Sequence, residues 1–318
     1  MTVYGFHASH EQISPRQLLA DVQLAEQAGF QAAMCSDHLE PWSSRQGHSG
    51  LAWAWLGAAL ATTDLTFGTV TAPGQRYHPA VVAQAIATLG QMYPGRFWTA
   101  LGTGQHANEH VTGEAWPRKD LRQQRLEECV DIISRLLDGE TVSHEGLVRV
   151  HEATVWEAAD PKPQLIAPAI SAETAERGAR WADGLVTINQ DPATLTEMLR
   201  RWEDAGGADH RILQIHLCWA PTDDQAWSIA QDQWRSNVFS PPANTDLRVV
   251  DYDAVSADGV SREQLERSVL IGSDLGELTQ RIQDLADLGF DAVYLHHVGQ
   301  DQRPFLEAFG ERVLPQLH

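Results

Sequence analysis

Short apolar runs alternate along the whole chain with longer stretches in which apolar positions recur every three or four residues. That alternation specifies parallel strands joined by helices. VYGFH (3–7), FQAAMCS (30–36), LTFGTVT (65–71), FWTALGT (97–103), QLIAPA (164–169), GLVTIN (184–189), RILQIHLCW (211–219) and FDAVYLHHV (290–298) read as eight strands. Between them lie helical stretches: one capped by Ser14 with Pro15 in its first turn and stopped at Gly29, one opened by Pro79, and a strongly periodic one over 120–137. LAEQAGFQAAMCSDH (24–38) and LADLGFDAVYLHHV (285–298) echo one another as helix end, Gly-Phe, apolar strand and then His.

Eight strand-helix units over 318 residues predict a (β/α)8 TIM barrel forming one domain over 1–318. A polar insertion at about 139–162 is expected to form a small hairpin, and 236–262, with no clear period, a long loop. The rival is an open doubly wound sheet, disfavoured because no GxGxxG follows the first strand.

On the barrel, chemistry gathers at the carboxyl ends of the strands. His7, Asp37 and His38, Gly102 to Gln105, Asn189, Trp219, and His296 with His297 are the candidates there. Asp37 and His38 are adjacent, and successive side chains of a strand face opposite ways. The strand must therefore stop there, freeing His38 to turn toward a ligand with Asp37 orienting it, or leaving the pair simply to close a loop. Trp42 follows Pro41 and can wall a pocket, while the glycines of GTGQ (102–105) let backbone approach a flat ligand.

Composition narrows the partners. Lys and Arg total 23 against 43 Asp and Glu, and a net charge of −20 opposes nucleic acid or an anionic membrane surface. No apolar run approaches the roughly 18 residues of a membrane span, and the N-terminal segment does not read as a signal peptide, so a cytoplasmic location is expected. The 3 cysteines are scattered, the histidine spacings match no metal motif, and no metal is expected.

HASHEQISPRQL, SDHLEPW, QRYHPAVVAQAIATLGQMYPGRF, ALGTGQHANEHVTG and ADGLVT, in this order, resemble the luciferase-like (LLM class) oxidoreductases, near the glucose-6-phosphate dehydrogenases that use the deazaflavin coenzyme F420. The resemblance implies a barrel with a flavin-type ring in its mouth and hydride transfer at that ring, with oxygen insertion in the monooxygenase members. It makes His38 the acid or base at the substrate hydroxyl, Trp42 and Glu11 residues of the reacting centre, and Asp37 a coenzyme contact. It puts a bulged, unusual peptide bond at Thr69-Val70 behind the ring. Thr103, Gly104 and Gln105 fall beside the ring, and Ile170, Ser171 and Ala172 at the cofactor phosphate.

Two departures matter. Gln105 stands where the family usually has the Glu of GTGE, and an amide cannot supply a carboxylic acid's proton. Asn189, Gln190 and Arg267 stand where the family holds a sugar phosphate with cations, so a sugar phosphate is not the expected substrate. HASHEQ, AMCSDH and WAWLGAAL resemble an FMN-using branch, which favours FMN over F420 as cofactor. Family members are commonly dimers, so a homodimer is admitted. A barrel hydrolase built on Asp37, His38 and His296, and a flavin-binding protein without turnover, are the alternatives.

Overall fold

The computed structural model describes residues 1–239 and 243–318. The strands are β1 Val3–Ala8, β2 Ala32–Ser36, β3 Thr66–Thr71, β4 Phe97–Leu101, β5 Val142–Glu145, β6 Arg149–Ala153, β7 Gln164–Pro168, β8 Gly184–Ile188, β9 Arg211–Trp219, β10 Leu270–Gly272 and β11 Ala292–His297. Among the described residues, eight of them close in the order β9, β11, β1, β2, β3, β4, β7, β8 and back to β9. Every neighbouring pair in that ring is parallel. The protein is a TIM barrel, and the open-sheet alternative fails because β8 pairs with β9. β9 is long enough to hold β8 with its first half and the short extra strand β10 with its last three residues.

The helices are α1 Pro15–Gln27, α2 Ala52–Thr62, α3 Pro79–Met92, α4 His106–Glu109, α5 Lys119–Leu137, α6 Ala172–Gly178, α7 Pro192–Asp204, α8 Asp223–Trp234, α9 Ala243–Asp246, α10 Val249–Val255, α11 Arg262–Glu266, α12 Leu275–Ala286 and α13 Arg303–Arg312. Ser14 caps α1 by accepting from the Gln17 amide, with Pro15 in the first turn. α2 turns Ala52, Trp55, Leu56, Ala59 and Leu60 into the core. β5 and β6 form a separate antiparallel pair between α5 and β7.

The stretch 236–262 departs from the expected loop. It carries α9, α10 and the cap of α11, too short to leave a periodic signature, with residues 240–242 outside the described part. A second departure is at Thr69-Val70. β3 pairs there residue for residue with Cys35 and Ser36 on one side and Thr99 and Ala100 on the other, so the ladder has no bulge. Among the described residues the cis peptide is Asp160–Pro161, not this one.

Inside the barrel, Ala32, Met34, Trp98, Ala100, Ile166, Val186, Ile212, Ala292 and Tyr294 form an apolar filling. Its two large aromatics meet edge to face with centroids 6.1 Å apart. They fit because glycine lies opposite each: a Cβ on Gly68 would fall 1.9 Å from Trp98, and one on Gly5 2.4 Å from Tyr294. Gly68→Ala is therefore expected to destabilise the protein by about 1–3 kcal/mol through overpacking. Gly57→Ala, in α2 with open space around it, should instead be neutral or stabilising by up to about 1 kcal/mol. Urea midpoints of the two variants measure the contrast.

Candidate active site

At the end of β2 the Asp37 carboxylate is buried and fully engaged. Its Oδ2 accepts from Thr71 Oγ1 at 2.8 Å and Trp53 Nε1 at 3.2 Å, and its Oδ1 from Tyr77 OH at 3.3 Å. Arg76 Nη2 lies 3.3 Å from Oδ2 and also donates to the Asp37 carbonyl at 2.7 Å. The Arg76 amide in turn donates to Glu109 Oε2 at 2.7 Å, and burial raises the pKa of Glu109 against the opposing pull of Arg76. A carboxylate with four protein donors is a structural anchor, and it does not orient His38.

That task falls to Glu11. His38 Nδ1 lies 2.5 Å from Glu11 Oε1, and Ser9 Oγ donates to Glu11 Oε2 at 2.8 Å. Burial alone would raise the Glu11 pKa, but the charge and hydrogen bond of His38 outweigh it and bring it down to about 2. With Nδ1 committed to Glu11, His38 presents Nε2 as its free nitrogen. Its ring meets Trp42 edge on at 5.2 Å, and Trp42 meets Tyr252 of α10 at 5.7 Å. The Trp42 amide is held by Gln46 Oε1 at 2.8 Å, and Asp253 accepts from Ser43 Oγ at 3.0 Å. α10 is thus tied across the loop that carries Trp42.

The direction of the Gln105 amide follows from its neighbours. Asn108 Oδ1 accepts the backbone amides of Leu39 at 2.8 Å and Glu40 at 3.3 Å, so its Nδ2 is left to donate to Gln105 Oε1 at 3.2 Å. Gln105 Nε2 is then the atom free to donate to a ligand. The same residue, Asn108, links the His38 loop to the 102–105 turn, bringing Glu11, His38, Trp42 and Gln105 into one connected group. Gly104 takes a left-handed φ of 80°, and a Cβ there would fall 3.0 Å from Glu109 Cγ. Thr103 precedes it in the same turn.

Other candidates divide by which face of the strand they occupy. Val70 packs on the barrel filling and Thr69 does not: its Oγ1 is 3.5 Å from Cys35 Sγ, in the layer between strands and helices. Only Thr69's backbone can serve a ligand in the mouth. His296 faces inward, whereas His297 stacks on Phe305 of α13 at 4.9 Å and Trp219 donates its Nε1 to the Ser273 carbonyl at 3.0 Å. His297 and Trp219 therefore leave the mouth, as the two-residue period of a strand requires. Ser171 caps α6 by accepting from the Thr174 amide, with Ile170 before it and Ala172 opening the helix. The first amides of a helix have no intrahelical partner, and these can receive a phosphate.

Sequence reasoning missed Asn108, Arg76, Tyr77 and Tyr252. The first three lie inside QRYHP and GTGQHAN, motifs otherwise noticed, but their roles depend on contacts with the β2 loop. The hydrolase alternative does not hold: Asp37 is bound by four donors, and His296 is bonded to Gln12 and Gln214.

A barrel mouth with a histidine–carboxylate pair, a tryptophan wall, an outward amide donor and a glycine turn above an apolar floor suits a planar redox ring, and it defines a flavin- or deazaflavin-dependent oxidoreductase. The chain belongs to the luciferase-like monooxygenase family, whose model matches residues 1–292. It is 34% identical to an F420-dependent glucose-6-phosphate dehydrogenase of Microbacterium testaceum, over 99% of this chain and 97% of that one. It is 32% identical to an F420-dependent hydroxymycolic acid dehydrogenase of Mycobacterium tuberculosis, over 98% and 88%. Among solved structures, an F420-dependent secondary alcohol dehydrogenase bound to an F420-acetone adduct superposes with a TM-score of 0.90 at 28% identity, covering both chains fully. An FMN complex of a type II Baeyer-Villiger monooxygenase from Pseudomonas putida shares the fold, with a TM-score of 0.68 at 17% identity over the full length of both chains. No helix among the described residues is long and apolar enough to cross a membrane.

Two outcomes are expected. Asp37→Asn puts an amide N–H against the donors that now converge on a carboxylate, and should cost about 3–5 kcal/mol in urea unfolding, the scale for breaking a buried ion pair. The second concerns acid. Burial lowers the pKa of His7 and His10 to about 4, of His216 and His297 to about 3, and of His296 well below the usual value of 6.5. Below pH 6.5 the unfolded chain binds protons at these sites and the folded chain does not, so stability is full above that pH and falls on acidification. Each such site contributes up to about 1.4 kcal/mol per pH unit, and the urea midpoint should drop steeply from pH 7 to pH 5. A flat midpoint over that range contradicts the assignment. Glu11 does not affect this window, because its contribution is lost only as the pH falls from about 4.5 toward 2.

Proposed function

We propose that the protein is an F420-dependent dehydrogenase that interconverts a neutral alcohol and its carbonyl compound, with His38 as the acid-base residue. The observation that carries this reading is the His38 to Glu11 contact of 2.5 Å beside Trp42. The fixed carboxylate stabilises the imidazolium that forms when Nε2 takes the hydroxyl proton, and Glu11, buried and ionised, keeps the ring in one orientation. When bound, the coenzyme ring supplies the two-electron hydride acceptor. Gln105 Nε2 donates toward the ring, Val70 backs it, and Thr103, Gly104 and the backbone at Thr69 bring the chain close to it. The amides around Ile170, Ser171 and Ala172 hold its phosphate.

F420 is chosen over FMN because several full-length relatives at 30–36% identity carry F420 in their names, and a Gln105 amide serves either ring. A neutral substrate is supported by the residues at the positions where the family binds a sugar phosphate. Asn189 is spent on the His216 amide at 3.0 Å and the Ser268 carbonyl at 3.3 Å, and Arg267 is exposed and paired with Glu263. Neither is poised to hold a phosphate as in a sugar-phosphate dehydrogenase.

Titrating the protein with F420 and with FMN by fluorescence tests the cofactor, with tighter binding of F420 expected. Reduction of F420 by a panel of simple alcohols, followed by absorbance, tests the reaction. His38→Ala should lower turnover by about 100-fold or more and leave F420 affinity within about a factor of ten. Glu11→Gln should lower turnover about tenfold and displace its pH profile. Binding of F420 with no reduction by any alcohol or other donor would return the protein to the flavin-binding reading.

A further inference from the structure

On the side of β1, β11 and β9 the apolar filling stops below the mouth, and the inward positions become His7, His296, Gln214 and His216. His7 stacks on His296 with ring centroids 4.3 Å apart, and Trp234 of α8 packs against both His216 and His296 at 4.8 and 4.9 Å. Hydrogen-bond direction through this layer is fixed from one end. The Val298 carbonyl can only accept, so Gln12 turns Nε2 toward it at 2.5 Å and leaves Oε1 for His296 Nε2 at 2.9 Å. His296 therefore carries its proton on Nε2.

Burial keeps His296 neutral, and its Nδ1 is then a bare acceptor. The Gln214 atom 3.3 Å away must be the amide nitrogen, and that same nitrogen lies 3.0 Å from His216 Nε2. His216 also accepts there and keeps its proton on Nδ1. Both hydrogens of Gln214 Nε2 are engaged, and Gln214 Oε1 is the acceptor left over. Gln214 and His216 retain 8% and 7% exposure where His7 and His296 have 2%, so the first two are the members a ligand in the mouth can reach.

Resting on the reading of this mouth as an alcohol site, we propose that Gln214 determines specificity: its Oε1 accepts a hydrogen bond from a second hydroxyl on the substrate, and the mouth selects neutral diols over simple alcohols. The amide cannot rotate to offer a donor without setting its oxygen against the bare Nδ1 of His296. The acceptor is thereby preorganised, and an alcohol lacking the second hydroxyl leaves it unpaired.

The test uses propane-1,2-diol and propan-2-ol. In the wild type, long-range nitrogen-15 NMR of the imidazoles should find His296 protonated on Nε2 and His216 on Nδ1; the opposite tautomer at either residue overturns the proposal. The diol should shift the Gln214 side-chain amide signal and saturate at about tenfold lower concentration than propan-2-ol, the scale of one hydrogen bond. Gln214→Met, similar in length and without the acceptor, should abolish that preference. Equal saturation by the two alcohols, or a preference that survives in Gln214→Met, overturns it. Binding is read by NMR and turnover by F420 reduction, so a wild type that prefers the diol but oxidises neither alcohol counts against the dehydrogenase reading and not against Gln214.

Discussion

The site hangs on the Asp37 carboxylate. It is the last residue held by the barrel on β2, and four side chains from three other segments converge on it: Trp53 from α2, Thr71 from β3, and Arg76 with Tyr77 from the turn before α3. A buried carboxylate is tolerated only when its oxygens are filled, and filling them fixes the point at which β2 ends. His38 is the next residue. Because Asp37 cannot shift, His38 turns into the mouth, where Glu11 from the loop after β1 meets its Nδ1. The anchor and the acid-base pair are thus separate devices, one carboxylate for position and another for chemistry.

The same economy governs the amides. A glutamine offers a donor and an acceptor, and the group it presents to a ligand depends on what holds its other end. Backbone amides of Leu39 and Glu40 fix Asn108, and Asn108 fixes Gln105 with the donor outward. The Val298 carbonyl fixes Gln12, and through His296 it fixes Gln214 with the acceptor outward. Two residues of one type become opposite functional groups on different walls of one mouth. Neutral histidines are essential to the second chain, because a protonated imidazole would have no lone pair to receive Gln214. Their burial therefore shapes the site as well as making the fold sensitive to acid.

Above this floor, α10 packs on the loop carrying His38 and α9 on the segment before α5. Tyr252 lies against Trp42, Asp253 accepts from Ser43, and Trp116 Nε1 donates to Asp246 at 2.9 Å. These contacts join residues far apart in the chain, so the aromatic wall of the mouth depends on the placement of α9 and α10. The tryptophan that meets the His38 ring is itself backed by an element that is not part of the barrel.

The barrel was legible in the sequence because its cause is local and repeated: each strand must be apolar on both faces and each helix on one, and that period is written into any single unit. His38 and Gln105 were legible too, since strand ends mark themselves by an abrupt change to polar residues, whereas Glu11 was reached only through the family resemblance of the segment that carries it. Which of two adjacent residues faces the mouth was not. Thr69 against Val70 and His296 against His297 differ only in phase, and that phase is set by where neighbouring strands pair. The partner of His38 is Glu11 and not its neighbour Asp37, because a buried carboxylate takes whichever donors the closed barrel brings within reach. α9 and α10 lacked a signature because one or two helical turns are too short to show a period. The sequence by itself determined the alternation of elements and the inventory of chemical groups; register, the direction of each amide and the pairing of charges were decided by tertiary contacts, because those are properties of two segments at once.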